Sequence, residues 1–383
     1  YYYKEIFYHP VGYVSLISPE YLNSKEYANY DDNDYIGKSG LEKKYEGLLK
    51  GTDGLRILLK DTYGKKMVLS SGNLGSESLY KKLHAGEKEP KDGKDIILTL
   101  DILLQQFIYE EIKDISASVM VMDVNTGELL SYISSPSVDP NIFLQGIATE
   151  VWEKIRSDVR HPLLDKGIEN FNPASTFKPF TAYCALMEDL TEERSIKPCR
   201  GVMRFYNIKK HCWKKRGHGR ETLEEAIRDS CNIYFYQLGD LLGINKFKEY
   251  ADKIHLSRPS GIDLLGEKTP VIPDLEFKFR NKIADGRWYP PETLDVSIGQ
   301  GFVSLSPVKV LQLYGFFASY GKMLTPHLLK RIGNEEVFFP TVAFEGGQEQ
   351  IARINKGLEM VTSWSGTGWR ARSLKVKISG KTG

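Results

Sequence analysis

The stretch "NPASTFKPFTAYC", residues 172–184, sets Ser175 and Lys178 three positions apart just ahead of an apolar run. These are the makings of a nucleophile with its own base, because a lysine buried away from water holds its proton loosely and can accept one from a hydroxyl. Phe177, Phe180, Cys184 and Met187 repeat with helical period, so the segment reads as a helix with Ser175 and Lys178 on one face. Pro179 does not oppose a helix that starts near Pro173, since its missing N–H would have bonded the Ser175 carbonyl in the first turn. The positive end of the helix dipole then favours an emerging alkoxide at Ser175. Taken alone, the pair is common by chance and reads as a helix cap beside a surface lysine.

Two later motifs change the balance. "RDSCNIYFYQLG" contains Ser230-Cys231-Asn232, and "ISGKTG" ends in Lys381-Thr382-Gly383. Each alone reads as a turn or a cap. In this order, Ser-x-x-Lys, Ser-x-Asn and Lys-Thr-Gly resemble the signature of penicillin-binding proteins and serine β-lactamases. The chain is similar to the class B penicillin-binding proteins, and most similar to their elongation branch, the penicillin-binding protein 2 group. The resemblance is carried by "GKSGLEKKYEGLLKGTDG", "VMVMDVNTGELLSYISSPSVDPN", "HPLLDKGIENFNPASTFKPF", "SIGQGFVSLSPVKVLQLY" and "CWKKRGHG", besides the three motifs.

That resemblance implies a D,D-transpeptidase working through a serine acyl-enzyme. Ser175 attacks a peptidoglycan stem ending in D-Ala-D-Ala, Lys178 takes its proton, and an amine of a second stem resolves the acyl group. Ser230 and Asn232 form the opposite wall, Lys381 offers charge to a substrate carboxylate, and Thr382 and Gly383 complete the binding edge. The Ser175 N–H supplies one oxyanion donor. β-Lactams acylate the same serine. The implied partners are peptidoglycan stems, a RodA-type glycosyltransferase and an MreC-type scaffold docking on a non-catalytic pedestal. The implied location is the periplasmic side of the inner membrane, on a single N-terminal anchor. Gly299 to Gly301, "GQG", take a turn role near the site. Members of the family continue past the Lys-Thr-Gly motif with further strands and a helix that carry the second oxyanion donor. Two rivals remain: a D,D-carboxypeptidase or β-lactamase of the same fold with water as acceptor, and a non-catalytic scaffold or β-lactam sensor.

The elements that must position these residues divide the chain near residue 98. Residues 1–97, rich in Tyr, Lys, Gly and Asp, read as an elongated β-rich pedestal. Within them "IGKSGLEKKYEGLLKGTDG" reads as one short amphipathic helix, and "GLRILLKDTYGKKMVLS" as two strands around a turn. Residues 98–383 read as an α+β transpeptidase domain on an antiparallel sheet. Ile97, Leu98 and Leu100 suggest a strand, and Leu103, Leu104, Phe107, Ile108 and Ile112 a helix. "ASVMVMDVNTGELLSYISSPS" is a hairpin around "DVNTGE". The pattern from Pro173 to about Tyr250 is mostly helical, "KVLQLYGFFASYG" is a buried helix, and Leu374, Val376 and Ile378 alternate as in a strand.

The cysteines, Cys184, Cys199, Cys212 and Cys231, all fall in one region. Cys199, Cys212, His218 and Cys231 are spaced C-x12-C-x5-H-x12-C, a donor set that suits a tetrahedral structural zinc, with His211 as an alternative ligand. Cys231 then holds the metal behind the wall that Ser230 and Asn232 present to the cleft. The competing reading is a Cys199–Cys212 disulfide with the others in the core. Cys184 lies on the apolar helix face and reads as core. His161 reads as a turn residue, and Trp364 and Trp369 as flanking a Gly-rich loop beside the cleft or packing under it.

The whole chain has 383 residues, 41% hydrophobic and 27% charged, with net charge +2. It is long enough for two domains, and its charge gives no argument for nucleic acid. No apolar run reaches the ~18 residues of a membrane span. The opening "YYYKEIFYHPVGYVS" lacks an initiator Met and a signal peptide, so the chain is expected to be an excised piece whose anchor lies elsewhere. "GQG" lacks the strand-then-helix setting of a phosphate loop, which excludes nucleotide binding there.

Overall fold

The computed structural model describes residues 1–56, 60, 62–65, 87–144, 146–191 and 196–383. Asp101 starts the first long helix of the larger domain, accepting the Leu103 and Leu104 N–H groups at 2.9 and 3.0 Å. That helix, Ile102–Ile112, packs on the hairpin Ala117–Met122/Leu129–Ser135. The hairpin closes as its sequence requires: Gly127 sits at φ 85°, where a β-carbon is disfavoured, and Asp123 caps the turn. Its register runs from Ala117 opposite Ser135 to Val121 opposite Ser131, then slips by a bulge. Strand Ile96–Leu98 pairs antiparallel with Leu329–Ile332, which pairs with Glu335–Glu336. Helices and antiparallel strands share the domain, as expected of an α+β fold.

The main core is helical. Helix Lys178–Met187 is buried from Lys178 to Leu186 and packs against Asn232–Leu242, Ile244–Lys253 and Gln348–Val361. Phe177, Phe180, Cys184 and Phe247 are entirely buried there, which fits the core role expected of Cys184. Helix Pro307–Ala318, capped by Ser306 with Pro307 at its first position, extends the same core. The smaller N-terminal part has its own cluster of Ile17, Tyr27 and Ile36 under the strand pair Val14–Leu16/Tyr35–Gly37. It is tied to the larger domain by polar contacts: Gln105 Nε2 donates to Ile6 O at 3.2 Å, Ser137 Oγ to Glu5 O at 2.7 Å, and Tyr45 OH to Asp263 Oδ2 at 3.1 Å.

Four expectations about elements need correction or restriction. The single helix expected in residues 36–54 is two, Gly40–Lys44 and Glu46–Leu49, because Tyr45 leaves helical geometry at φ −111°, ψ 18°. The helical run expected from Pro173 to Tyr250 is interrupted by a hairpin, Val202–Phe205/Ile208–His211. Gly201 and Gly217 at φ 86° and 76° bring its base together where a β-carbon would collide with backbone. Leu374, Val376 and Ile378 do not form a strand. Leu374 and Val376 are 87% and 62% exposed, and Gly380 N–H bonds Leu358 O at a helix end rather than a ladder partner. The two strands expected in "GLRILLKDTYGKKMVLS" fall largely outside the described residues.

Candidate active site

Ser175 sits in a single 3-10 turn, Ala174–Phe177, that feeds directly into helix Lys178–Met187, with Pro179 in the first turn. Ala174 is held at φ 49°, a conformation L-residues rarely adopt. Its N–H bonds Gly299 O at 2.8 Å, and a β-carbon on Gly299 would stand 2.0 Å from Ala174 O. Tyr314 OH donates to Thr176 O at 3.0 Å. The turn that presents Ser175 is thus fixed from both sides. Strain of this kind gathers where a side chain must be aimed.

Lys178 has no accessible surface. Its Nζ donates to Ser230 O at 2.7 Å, Ser230 Oγ at 3.1 Å and Asn232 Oδ1 at 2.7 Å. No carboxylate neutralises it through these bonds. Burial, with the charge of Lys381 added, lowers its pKa to about 7. Lys381 Nζ donates to the same Ser230 Oγ at 2.9 Å and is itself lowered by burial to about 8. Ser230, at φ 52°, therefore bridges two lysines. Ser175, Ser230, Asn232, Thr382 and Gly383 line one cleft of about 790 Å³. The structure brings together the seven expected catalytic and binding residues, drawn from three segments up to 208 positions apart, Ser175 to Gly383.

Behind the wall, Cys231 points away from the cleft and is fully buried, as expected from its place between Ser230 and Asn232. The donor atoms of Cys199, Cys212, His218 and Cys231 all lie within 4.8 Å of one another. Cys212 Sγ is 3.5 Å from His218 Nδ1, and the four cysteines are free thiols rather than a disulfide. Hydrogen bonding from Cys231 and His218 holds the Cys212 thiol well below its usual value, while Cys231 is driven up by Cys199 and Cys212. Three thiols this close cannot all ionise without a cation between them. His218 Nε2 and both Glu221 carboxylate oxygens are buried without a hydrogen-bond partner. A soft three-sulfur, one-imidazole set in a closed pocket fits structural zinc. His211 is not in the cluster: it lies exposed at a strand end, where its carbonyl accepts from Asn232 Nδ2 at 3.4 Å.

Trp369 lines the cleft, whereas Trp364 is 72% exposed and stacks under Arg372. His161 occupies a turn at φ 53°. Sequence reasoning missed Trp213, whose Nε1 donates to Asp229 O at 2.9 Å, and the Arg228–Asp229 ion pair at 2.8 Å. It also missed Thr367, bonded to both Arg228 and Thr382. Trp213 stands in "CWKKRGHG" and Thr367 in the Gly-rich "SGTGW", but nothing local marks either as lining a site.

The profile of the penicillin binding protein transpeptidase domain matches residues 117–383, and that of the penicillin-binding protein dimerisation domain matches residues 1–98. The chain is 30% identical to the peptidoglycan D,D-transpeptidase MrdA of Acinetobacter baumannii over 99% of its own length and 55% of that protein. It is 29% identical to MrdA of Haemophilus influenzae, over 100% and 58%. It thus spans little more than half the length of these curated relatives. Among solved structures it superposes on Pseudomonas aeruginosa PBP2 in complex with WCK 5153 with a TM-score of 0.80, at 27% identity over 97% of this chain and 76% of that one. For Helicobacter pylori PBP2, solved as a complex with MreC, the TM-score is 0.83 at 26% identity, covering 99% and 67%. A chain of a peptidoglycan synthase complex, described as coordinating polymerization and crosslinking, gives 0.81 at 28% identity, covering 97% and 64%. A transpeptidase profile over more than half its residues, a dimerisation profile ahead of it and PBP2 structures along nearly its whole length place the chain in one family: it belongs to the penicillin-binding proteins, on the PBP2 branch.

Proposed function

We propose that this chain is the catalytic part of a peptidoglycan D,D-transpeptidase that cross-links stem peptides during cell elongation and is a target of β-lactams. The observation that carries the reading is Lys178: a fully buried amine one helical turn from Ser175, lowered to about 7 and held by the Ser-x-Asn wall. A base poised near the working pH is what serine activation needs.

In this reading the neutral Lys178 takes the Ser175 proton as Ser175 Oγ bonds the carbonyl carbon of the penultimate D-Ala. The Ser175 N–H stabilises the oxyanion. The intermediate collapses by breaking the amide C–N bond. The proton returns to the leaving D-Ala amine from Lys178 by way of Ser230 Oγ, 3.1 Å from Nζ. An amine of a second stem then attacks the ester, loses its proton by the reverse path and frees Ser175. Asn232 orients Lys178 and the donor amide. Lys381 and Thr382 receive the donor's carboxylate, and Gly383 lets its backbone approach.

Residues 1–97 serve as the non-catalytic pedestal and 98–383 as the catalytic domain. The relative solved with MreC supports docking of such a scaffold on this protein, and the synthase complex supports a glycosyltransferase partner of the RodA type. No helix among the described residues is long and apolar enough to cross a membrane. The periplasmic location rests on the relatives' role in building cell wall. Catalysis needs no cofactor in this scheme. Cys199, Cys212, His218 and Cys231 hold a structural zinc, which when bound supplies the positive charge that lets the thiolates share one pocket and braces the second motif from behind.

The test is labelling with a fluorescent penicillin, on the protein and on Ser175→Ala, with the adduct mapped by mass spectrometry. A stable adduct on Ser175, lost in the variant, is expected. An adduct elsewhere, or rapid hydrolysis of the penicillin, would overturn the transpeptidase reading in favour of a scaffold or a β-lactamase.

A further inference from the structure

The end of the Lys-Thr-Gly segment meets the second-motif wall at two points. One is Lys381 on Ser230 Oγ. The other is a chain of two hydroxyls: Thr382 O–H donates to Thr367 Oγ1 at 3.0 Å, and Thr367 O–H donates to Arg228 O at 3.1 Å. Thr367 also reaches that carbonyl through its backbone N–H, at 3.4 Å. Its loop is tightly seated, since Gly368 N–H bonds Val361 O at 2.9 Å and a β-carbon on Gly366 would stand 2.1 Å from the same oxygen. Arg228 is in turn fixed by its ion pair with Asp229. Thr367 and Thr382 both line the cleft.

A carbonyl oxygen only accepts, so while Thr367 gives its proton to Arg228, its oxygen only accepts from Thr382. In this arrangement Thr382 spends its one donor on Thr367 and shows the cleft lone pairs alone. A carboxylate arriving beside Lys381 needs the opposite, a donor. The doubled contact to Arg228 provides for the exchange. When Thr382 turns its O–H to the ligand, Thr367 can turn its own O–H to Thr382 Oγ1, and the Thr367 N–H keeps the Arg228 carbonyl bonded. No buried polar group is stranded in either state.

We propose that Thr367 is a positioning residue for carboxylate recognition: its hydroxyl reverses to donate to Thr382 Oγ1, which anchors that oxygen so that the Thr382 O–H is held on the ligand's carboxylate. This rests on the transpeptidase reading, and it adds a residue outside the three motifs. The exchange moves hydroxyl rotors and transfers no proton between groups. Hydrogen bonds to charged acceptors are the stronger ones, so the loss should show in ligands that carry the carboxylate and not in those that lack it.

The test compares the second-order acylation constants for benzylpenicillin and for its methyl ester on the full-length protein. In Thr367→Val the preference for acid over ester falls roughly tenfold, while Thr367→Ser restores it. Thr367→Ala removes the same hydroxyl without filling the space, and gives the same answer should valine disturb the loop. Adding Thr367→Val to Thr382→Val produces no further fall in the preference. A parallel loss for acid and ester, or failure of serine to rescue, makes Thr367 merely structural and overturns the inference while leaving the transpeptidase reading in place. A wild-type protein that neither ligand acylates overturns both.

Discussion

Lys178 and Lys309 are both shut away from water, at 0% and 1% exposure, but their surroundings ask different things of them. Lys309 Nζ donates to His255 O at 2.8 Å and Gln312 Oε1 at 2.7 Å, in the interior beside helix Pro307–Ala318. Burial lowers it to about 8, with Glu267 working against that shift and Arg258 adding to it. Lys178 has a like charge, Lys381, pushing the same way as burial, against smaller opposing contributions from Cys231, Cys212 and Glu221, and the hydroxyl it touches lines a cleft. Burial alone makes a lysine reluctant to ionise. Both lysines also feel a second cation, so what sets Lys178 apart is that the hydroxyl it bonds faces a cleft.

The comparison is broken most directly by exchanging each lysine for methionine. Lys178→Met should slow penicillin acylation by about 10²–10⁴-fold, the range for removing a general base. Lys309→Met should leave acylation within about threefold, because its cost of about 1–3 kcal/mol falls on stability through two unsatisfied acceptors. Equal damage to acylation from both would show that the helical core, not the base, sets the rate. The next effect concerns the reverse side of the cleft wall. Metal analysis should find about one zinc per chain, and Cys199→Ser or His218→Ala should lose it and lower Tm by several degrees. Full metal content in both variants would refute the site.

Smaller effects sharpen the electrostatics. Acylation should fall with acid along a limb centred near pH 7, where Lys178 takes up its proton. Lys381→Met removes a repelling charge, so the folded pKa of Lys178 rises and the limb moves to higher pH. A limb that stays put would mean that burial alone sets the shift. The smallest effect is in stability. The pKa of Lys309 is about 8 folded and 10.5 in the unfolded reference, so between these values the unfolded chain binds more protons. Stability from this group therefore rises with pH across that window. Below about 8 the full penalty for the buried charge is present. Urea titrations at pH 8 and 10 should show that gain in the wild type and a smaller one in Lys309→Met.

The residues of the candidate site were easier to single out in the sequence than the architecture around them. Ser175 and Lys178 show themselves because one helical turn joins them, and Cys231 because its neighbours on both sides must face the other way. The contacts that surround Lys178 have no local signature. Lys178 meets Ser230 across 52 positions, and Lys381 meets Ser230 across 151. Only the order of three motifs pointed to them. Element types failed where a partner decides them. Alternation at Leu374, Val376 and Ile378 suits a strand, but a ladder forms only against a neighbour. The hairpin between Val202 and His211 hid in a region of helical pattern because four-residue strands carry too little periodicity to register.

Gly299 has no side chain with which to touch a ligand, yet its oxygen holds Ala174 and its missing β-carbon leaves room for the Ala174 carbonyl. Any other residue there must displace the turn that aims Ser175. In a library of all single substitutions selected for cell-wall growth, position 299 would be as intolerant as Ser175 itself. Its failures would be folded proteins with every motif intact and the serine turned aside. On the transpeptidase reading proposed above, a change at 299 that blunts an inhibitor's attack on Ser175 is expected to blunt the substrate's as well.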